Sequence, residues 1–330
     1  MPLSLRERGW GEGKVVPMNM TTLSLSLFYT LIFPGFLFTA LVGLFLTWVD
    51  RKVTAVVQSR MGPPWFQPFA DVGKLLSKRM IIPKGVRTVG FIGAPLLSIA
   101  GATLASVIVF LALFNPSVGF MGDLIVLVYL STMPAIALII GGASSRSPFG
   151  AIGASREMSM VLAYEVGFLL SIVTVIVQTG SIRFSEILAY QAQHGAVLWS
   201  LSGFIAAAVM LLCMQAKLGF LPFDISEADT ELIGGPLAEY SGVGLALFKL
   251  SRAMMFFFLP VFMVLVFTGA PQLGLLSILG FLVKLLIVLV LIIVIKITHA
   301  RLRLDQALRF FWTKVGLAGL IAVGFALLGL

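Results

Sequence analysis

Five carboxylates crowd one short stretch of this chain. Asp224, Glu227, Asp229 and Glu231 fall within Pro222-Phe223-Asp224-Ile225-Ser226-Glu227-Ala228-Asp229-Thr230-Glu231, and Glu239 lies just beyond Gly234-Gly235-Pro236. They are five of the chain's fourteen acids, and no Lys or Arg between Lys217 and Lys249 offsets them. Asp224 with Glu227 three residues on is a D-x-x-E helix start and Gly234-Gly235 a stop, so the spacing predicts a helix opening at Asp224. On that helix Asp224, Glu227 and Glu231 share one face, where like charges repel. Acids kept in such an arrangement bind cations, meet a basic partner or exchange protons; a solvated acidic loop is the bland alternative.

A second set of ionisable residues interrupts apolar runs. Glu165 follows Tyr164 in one such run, Lys249 and Arg252 are three residues apart and so share a helix face, and Lys284 is mid-run in another. Charge at such depth is costly and marks function by default. Together these four describe a polar track beside the acidic stretch; the alternative is that Glu165 neutralises Lys249 or Arg252 and only ties helices together.

The elements that must position these groups are membrane spans. A chain 59% hydrophobic and 11% charged, with mean hydropathy +1.06, departs far from the roughly 25% charged residues of soluble domains. The fold class expected is all-α: a polytopic membrane protein with about eight transmembrane helices at 24–49, 89–114, 123–142, 158–178, 196–216, 237–267, 273–296 and 310–330, after a tail at 1–23. The run 237–267 carries Pro260, where a kink is expected. Segments 50–88, 143–157, 217–236 and 297–309 hold most of the Lys and Arg, which places them on the cytoplasmic side of a cell membrane with both termini outside. Arg6, Arg8 and Lys14 dissent, and no cleavable leader is expected.

Within 50–88, Val53, Val56 and Val57, then Phe66, Phe69, Val72, Leu75 and Leu76, recur at helical spacing against Arg51, Lys52, Arg60, Lys74, Lys78 and Arg79. The pattern predicts two interfacial amphipathic helices split by Gly62-Pro63-Pro64. They suit either anionic headgroups or a soluble partner. Cys213 excludes a cysteine-based cluster carried by this chain alone, His194 and His299 lack companions at ligand spacing, and Gly141-Gly142 and Gly234-Gly235 lack nucleotide-loop spacing. The net charge of +9 is explained by topology and does not call for a nucleic-acid partner.

Taken in order, Asp50-Arg51-Lys52-Val53 through Arg60-Met61-Gly62-Pro63, Gln67-Pro68-Phe69-Ala70-Asp71 with Lys74, Arg156 before Tyr164-Glu165-Val166, Pro222-Phe223-Asp224 through Glu239-Tyr240-Ser241-Gly242, and Arg301-Leu302-Arg303-Leu304-Asp305-Gln306 resemble a known family. It is the heel subunit of respiratory complex I, NADH dehydrogenase subunit 1, with its relatives in membrane-bound nickel–iron hydrogenases. The resemblance implies a subunit between a membrane arm and a peripheral redox arm. Asp50, Arg51, Lys52, Arg60, Asp71, Lys74 and Arg156 would dock the arm, while Glu165, Asp224, Glu227, Asp229, Glu231 and Glu239, with Lys249, Arg252 and Lys284, would couple redox chemistry to ion movement. No cofactor is expected in this chain; iron–sulfur clusters and a nickel–iron centre would sit in hydrophilic partner subunits, beside antiporter-like membrane subunits.

Four departures favour the hydrogenase-like branch over a quinone-site subunit. Pro64-Trp65-Phe66 leads directly into Gln67, Asp50 replaces a usual Glu, Met160 stands where Gln is common, and Arg252 falls where the dehydrogenases tend to have Glu. From a different class, a stand-alone ion or solute carrier would also bury charge, but no second copy of the 50–88 or acidic segment is present to form related halves.

Overall fold

The computed structural model describes residues 20–114, 121–272 and 274–330, and among them the chain is helical with no strand. The expected tail, with Arg6, Arg8 and Lys14, lies outside the described residues, as does most of the 115–122 connection. Helices run in the order α1 (Met20–Leu31), α2 (Phe36–Val57), α3 (Gln67–Leu76), α4 (Thr88–Phe114), α5 (Asp123–Ser144), α6 (Pro148–Thr179), α7 (Phe184–His194), α8 (Leu201–Lys217), α9 (Asp229–Leu232), α10 (Gly242–Thr268), α11 (Leu275–Thr298) and α12 (Leu304–Leu327). Among the described residues, seven are long and apolar enough to cross a membrane. The 17-residue α8 sits at the short end of the spanning range, so it makes the eighth.

Several boundaries differ from the sequence expectation. The first span is interrupted at Phe33-Pro34-Gly35, where proline cannot donate to a helix. The first amphipathic segment is not a separate interfacial helix, because α2 runs on without a break through Val57; only α3 stands alone, after the break at Gly62-Pro63-Pro64. The segment 143–157 was expected to be a loop, yet α6 begins at Pro148, a residue suited to a first helical turn. Arg156 and Glu165 therefore ride on one continuous 32-residue helix.

At the centre stands α10, from Ala253 to Phe267 buried at every position. A helix that is apolar all round must be enclosed by other helices, and α2, α4, α8 and α11 pack around it. Its Phe256, Phe257 and Phe262 engage Phe220, Phe38, Phe110, Phe168 and Phe184. The apolar core so formed extends from Ala40 to Ala322. The closest approach is at Gly43 of α2, where an added Cβ would overlap the Ala253 carbonyl of α10. Gly43→Ala is therefore expected to cost about 1–3 kcal/mol through backbone displacement. A lower thermal midpoint of the purified protein in detergent checks this, and an unchanged midpoint would mean the two helices separate freely.

Candidate functional site

The acidic stretch does not form the expected helix. Only Asp229–Leu232 is α-helical, Asp224 in irregular backbone and Glu227 in a turn precede it, and the backbone folds back on itself. Gly235 makes the fold-back possible: its φ is +53°, and a Cβ there would collide with the Ser226 carbonyl. The acids consequently point to different elements, and three of them each find their own cation. Asp224 Oδ2 accepts from Arg301 Nη2 of the α11–α12 connection at 2.9 Å, Glu227 Oε2 from Arg252 Nη1 of α10 at 2.5 Å, and Glu231 Oε2 from Arg156 Nη1 of α6 at 2.6 Å. The mutual repulsion inferred from a shared face is replaced by pairing. Asp229's side chain lies outside the described residues, and Glu239 is half-buried and lines neither cavity described next.

Two cavities meet at this fold-back. The larger, of about 530 Å³, is lined by Asp50, Arg51, Asp71, Asp224 and Lys296 together with apolar Leu44, Val72, Phe220 and Phe256. The smaller, of about 190 Å³, reaches between α4, α6 and α8 and is lined by Ser98, Glu157, Lys217 and Ser226. Both share Glu227, Lys249 and Arg252. Arg252 is the partition: besides Glu227 it donates to the Leu218 carbonyl at 3.1 Å and the Gly219 carbonyl at 3.0 Å.

Beyond the smaller cavity, Lys217 Nζ meets Glu165 Oε1 at 2.7 Å, with the Lys217 side chain only 1% exposed. The ammonium lies 4.3 Å from the Phe168 ring centroid, a cation–π contact that helps hold it out of water. The alternative to a polar track had Glu165 neutralising Lys249 or Arg252, but its partner is Lys217 at the end of α8. Apolar neighbours on either side of Lys217 hide this in the sequence. Glu157 was likewise missed; it sits beside Arg156 in what reads as a basic loop, yet it lines the smaller cavity with the Ser226 hydroxyl beside it. The only sequence signal was its place one residue from Arg156 and eight from Glu165.

The docking residues divide into two groups. Asp50, expected on the docking surface, is 4% exposed in α2, and Lys296 Nζ of α11 reaches its Oδ2 at 2.6 Å over the Phe220 ring. It belongs to the cavity wall because α2 continues inward where a surface loop was expected. Arg156 belongs to the acidic fold-back through Glu231. By contrast Arg51, Arg60 and Lys74 are exposed and Lys52 is half-buried; Arg51 pairs with Asp71 of α3 at 3.1 Å. Around them Val56, Val57, Met61, Trp65 and Phe66 are exposed. Lys284, expected in the track, lies on the outer surface of α11 and lines neither cavity. Met160 is buried in the apolar core and lines neither of them.

The Glu239-Tyr240-Ser241-Gly242 motif is a clamp. Tyr240 stacks on Phe91 of α4 at 4.2 Å and donates to its carbonyl at 2.9 Å, Ser241 Oγ accepts from Ile81 N at 3.0 Å, and burial pushes the Tyr240 phenol up. It ties the start of α10 to the segment after α3.

Glu231 is the solvent-facing member of the acidic set. The Arg156 hydrogen bond holds its carboxyl below the ordinary glutamate range, with Arg156, Arg301 and Arg303 charges adding to it. A lowered value means that this contact is fully present above the ordinary glutamate pKa, about 4.3, and is lost as pH falls through the lowered one. Protease access to the 218–236 segment is thus expected to rise only below that range, and Glu231→Gln should remove this part of the acid dependence; an identical pH profile in the variant would exclude the contact as its source.

Comparison with known proteins adds three findings. The NADH dehydrogenase family model matches residues 30–327. The H subunit of the Carboxydothermus hydrogenoformans NADH-quinone oxidoreductase is 30% identical over 97% of this chain and 94% of its own length, and that of Neisseria meningitidis serogroup C is 34% identical over 86% and 82%. A chain in the structure of the membrane-bound sulfane sulfur reductase, an archaeal respiratory membrane complex, superposes with a TM-score of 0.82 at 29% identity, covering 92% of this chain and 99% of that one.

Proposed function

Because the chain belongs to the NADH dehydrogenase subunit 1 family, we propose that it is the membrane-anchoring and energy-coupling subunit of a multisubunit redox complex of the hydrogenase-like, ferredoxin-linked branch. The observation that carries this reading is the charged track. Asp50–Lys296, Asp224–Arg301, Glu227–Arg252 and Lys217–Glu165 line or border two cavities joined at Arg252, and lead from the exposed basic face of α2 and α3 into the middle of α6. Ion pairs in series at cavity walls can exchange partners, and each exchange changes which carboxyl holds a proton. A redox event that disturbs the fold-back would then move protons or sodium ions along the track. The wall residues also support the branch: Asp50 and Arg252, two departures from the dehydrogenase pattern, are both engaged in ion pairs of the track.

In this reading Arg51, Lys52, Arg60 and Lys74 face hydrophilic subunits that carry the iron–sulfur clusters and the nickel–iron centre, and antiporter-like subunits adjoin the spans. The basic faces are cytoplasmic, in the cell membrane, with both termini outside. A second reading has one observation in its favour: a 530 Å³ cavity with apolar Leu44, Val72, Phe220 and Phe256 on its wall is of a size that takes a small ligand, and the curated relatives are named for quinone. Affinity purification of the tagged chain from its own membranes tests both. Co-purifying iron–sulfur and membrane subunits, loss of the soluble ones on charge reversal at Arg51, Lys52 and Arg60, and electron transfer indifferent to quinone-site inhibitors are the expected results. Bound quinone or potent inhibition would favour the second reading, and a chain that purifies alone and transports ions in vesicles would make it a carrier.

A further inference from the structure

Lys284 is a charge deep in a span that the track leaves unexplained. It lies on α11, whose inner face, Leu285, Val288, Leu289, Ile292 and Ile293, is buried against the rest of the bundle. The opposite face is bare: Leu276, Ile287, Leu291 and Val294 are exposed on the same side as Lys284, and Gly280, one turn before it, leaves open space where a side chain would project. Counted along the helix, Lys284 is nine residues from Leu275 and fourteen from Thr298. At 1.5 Å per residue that is about 14 Å and 21 Å from the two ends, inside an apolar layer of about 30 Å and deeper than a lysine stem readily spans.

No Asp or Glu occurs anywhere in 275–298, and no ion pair of the described residues includes Lys284. The other lysine of this helix provides the contrast. Lys296, near the inner end, is met within the chain by Asp50. A lysine at mid-depth on an apolar, uncovered face calls for a carboxylate supplied from outside the chain, since an unpaired ammonium there is expensive and groups of this kind pair with one another.

We infer that this face of α11 is the seat of a transmembrane helix from another subunit, bearing an Asp or Glu at the depth of Lys284 and packed into the notch at Gly280. The inference rests on the multisubunit reading above and adds to it a surface and a partner chemistry. The test uses the intact complex in its own membranes. Dicyclohexylcarbodiimide activates a buried carboxyl, a neighbouring amine displaces the activated group to form an amide, and the water equivalent leaves as dicyclohexylurea. Mass spectrometry should find Lys284 joined to an Asp or Glu within an apolar segment of a different subunit. Complexes purified with Lys284→Met should lose that subunit, those with Lys284→Arg should keep it, and changing the partner acid to its amide together with Lys284→Met should restore it. Retention of every membrane subunit by Lys284→Met would overturn the inference and leave this face to lipid, with the ammonium drawn toward headgroup phosphate; a bond to the same residue type in a second copy of this chain would overturn it in favour of self-association. If the wild-type chain purifies with no other subunit, the proposed function fails as well, so the two failures are distinguishable.

Discussion

Replacing Lys217 with methionine is expected to abolish assembly of the protein into a stable membrane species. The Lys217 ammonium is almost wholly enclosed, 2.7 Å from Glu165 and against the Phe168 ring. Removing one member of such a pair leaves the other charge uncompensated, a loss of about 3–5 kcal/mol, comparable to much of a domain's total stability. Replacing both members with neutral residues removes the stranded charge, so Lys217→Met with Glu165→Gln should recover assembly. What the double variant then does separates two roles. If the pair only ties α6 to α8, gradient formation by the complex returns with assembly. If Glu165 passes protons, the double variant assembles and the soluble arm still turns over with an artificial donor, but the gradient is lost. Assembly followed by native gel, together with gradient formation in inverted vesicles, reads both; full pumping in the double variant would end the proton-carrying role of Glu165.

The second large effect is expected at Arg252. Its guanidinium holds Glu227 and the Leu218 and Gly219 carbonyls at once, so Arg252→Met frees three acceptors at the junction of the cavities. Each unsatisfied acceptor costs about 1–3 kcal/mol, toward the lower end here because the cavity can admit water. The cost should appear locally as faster amide exchange through 218–227 and globally as uncoupling, with electron transfer outlasting the ion gradient. Arg252→Lys keeps the charge but has no fork to reach a carboxylate and two carbonyls together, so it should restore little. Unchanged exchange in Arg252→Met would show that the fold-back is held by Arg156 and Arg301 alone.

The acids themselves are legible in the sequence. A cluster without intervening cations stands out in a chain this apolar, and Glu165 and Arg252 stand out because ionisable groups in spans are rare. Their partners were not legible. Arg156 and Arg301 lie 75 and 77 residues from the acids they meet, and Lys296 lies 246 from Asp50. Nothing in local spacing encodes contacts of that range. The helix rule at Asp224 failed for a related reason: a D-x-x-E pattern describes a helix start when the carboxylates cap backbone N–H groups, and here Asp224 and Glu227 are drawn to Arg301 and Arg252 instead. Glu157 was not legible because it lies beside Arg156 in a segment, 143–157, that reads as a basic loop.

The order of amino acids was enough to establish an all-helical membrane protein, roughly where it crosses the bilayer, and which side chains carry charge at depth. Those properties depend on the length of apolar runs and on the cost of burying charge, both of which are set residue by residue. Packing in three dimensions was needed to settle which acid meets which base, that Asp50 turns inward while Arg51 stays outside, that Glu157 faces a cavity, and that Lys284 faces away from the bundle. Helices are stable almost wherever their apolar length suffices, but the angle at which each is turned about its own axis is fixed by its neighbours. The packing of α2, α4, α8 and α11 around α10, and of α6 against α8, sets those rotations, and with them the pairs that helix residues form along the track.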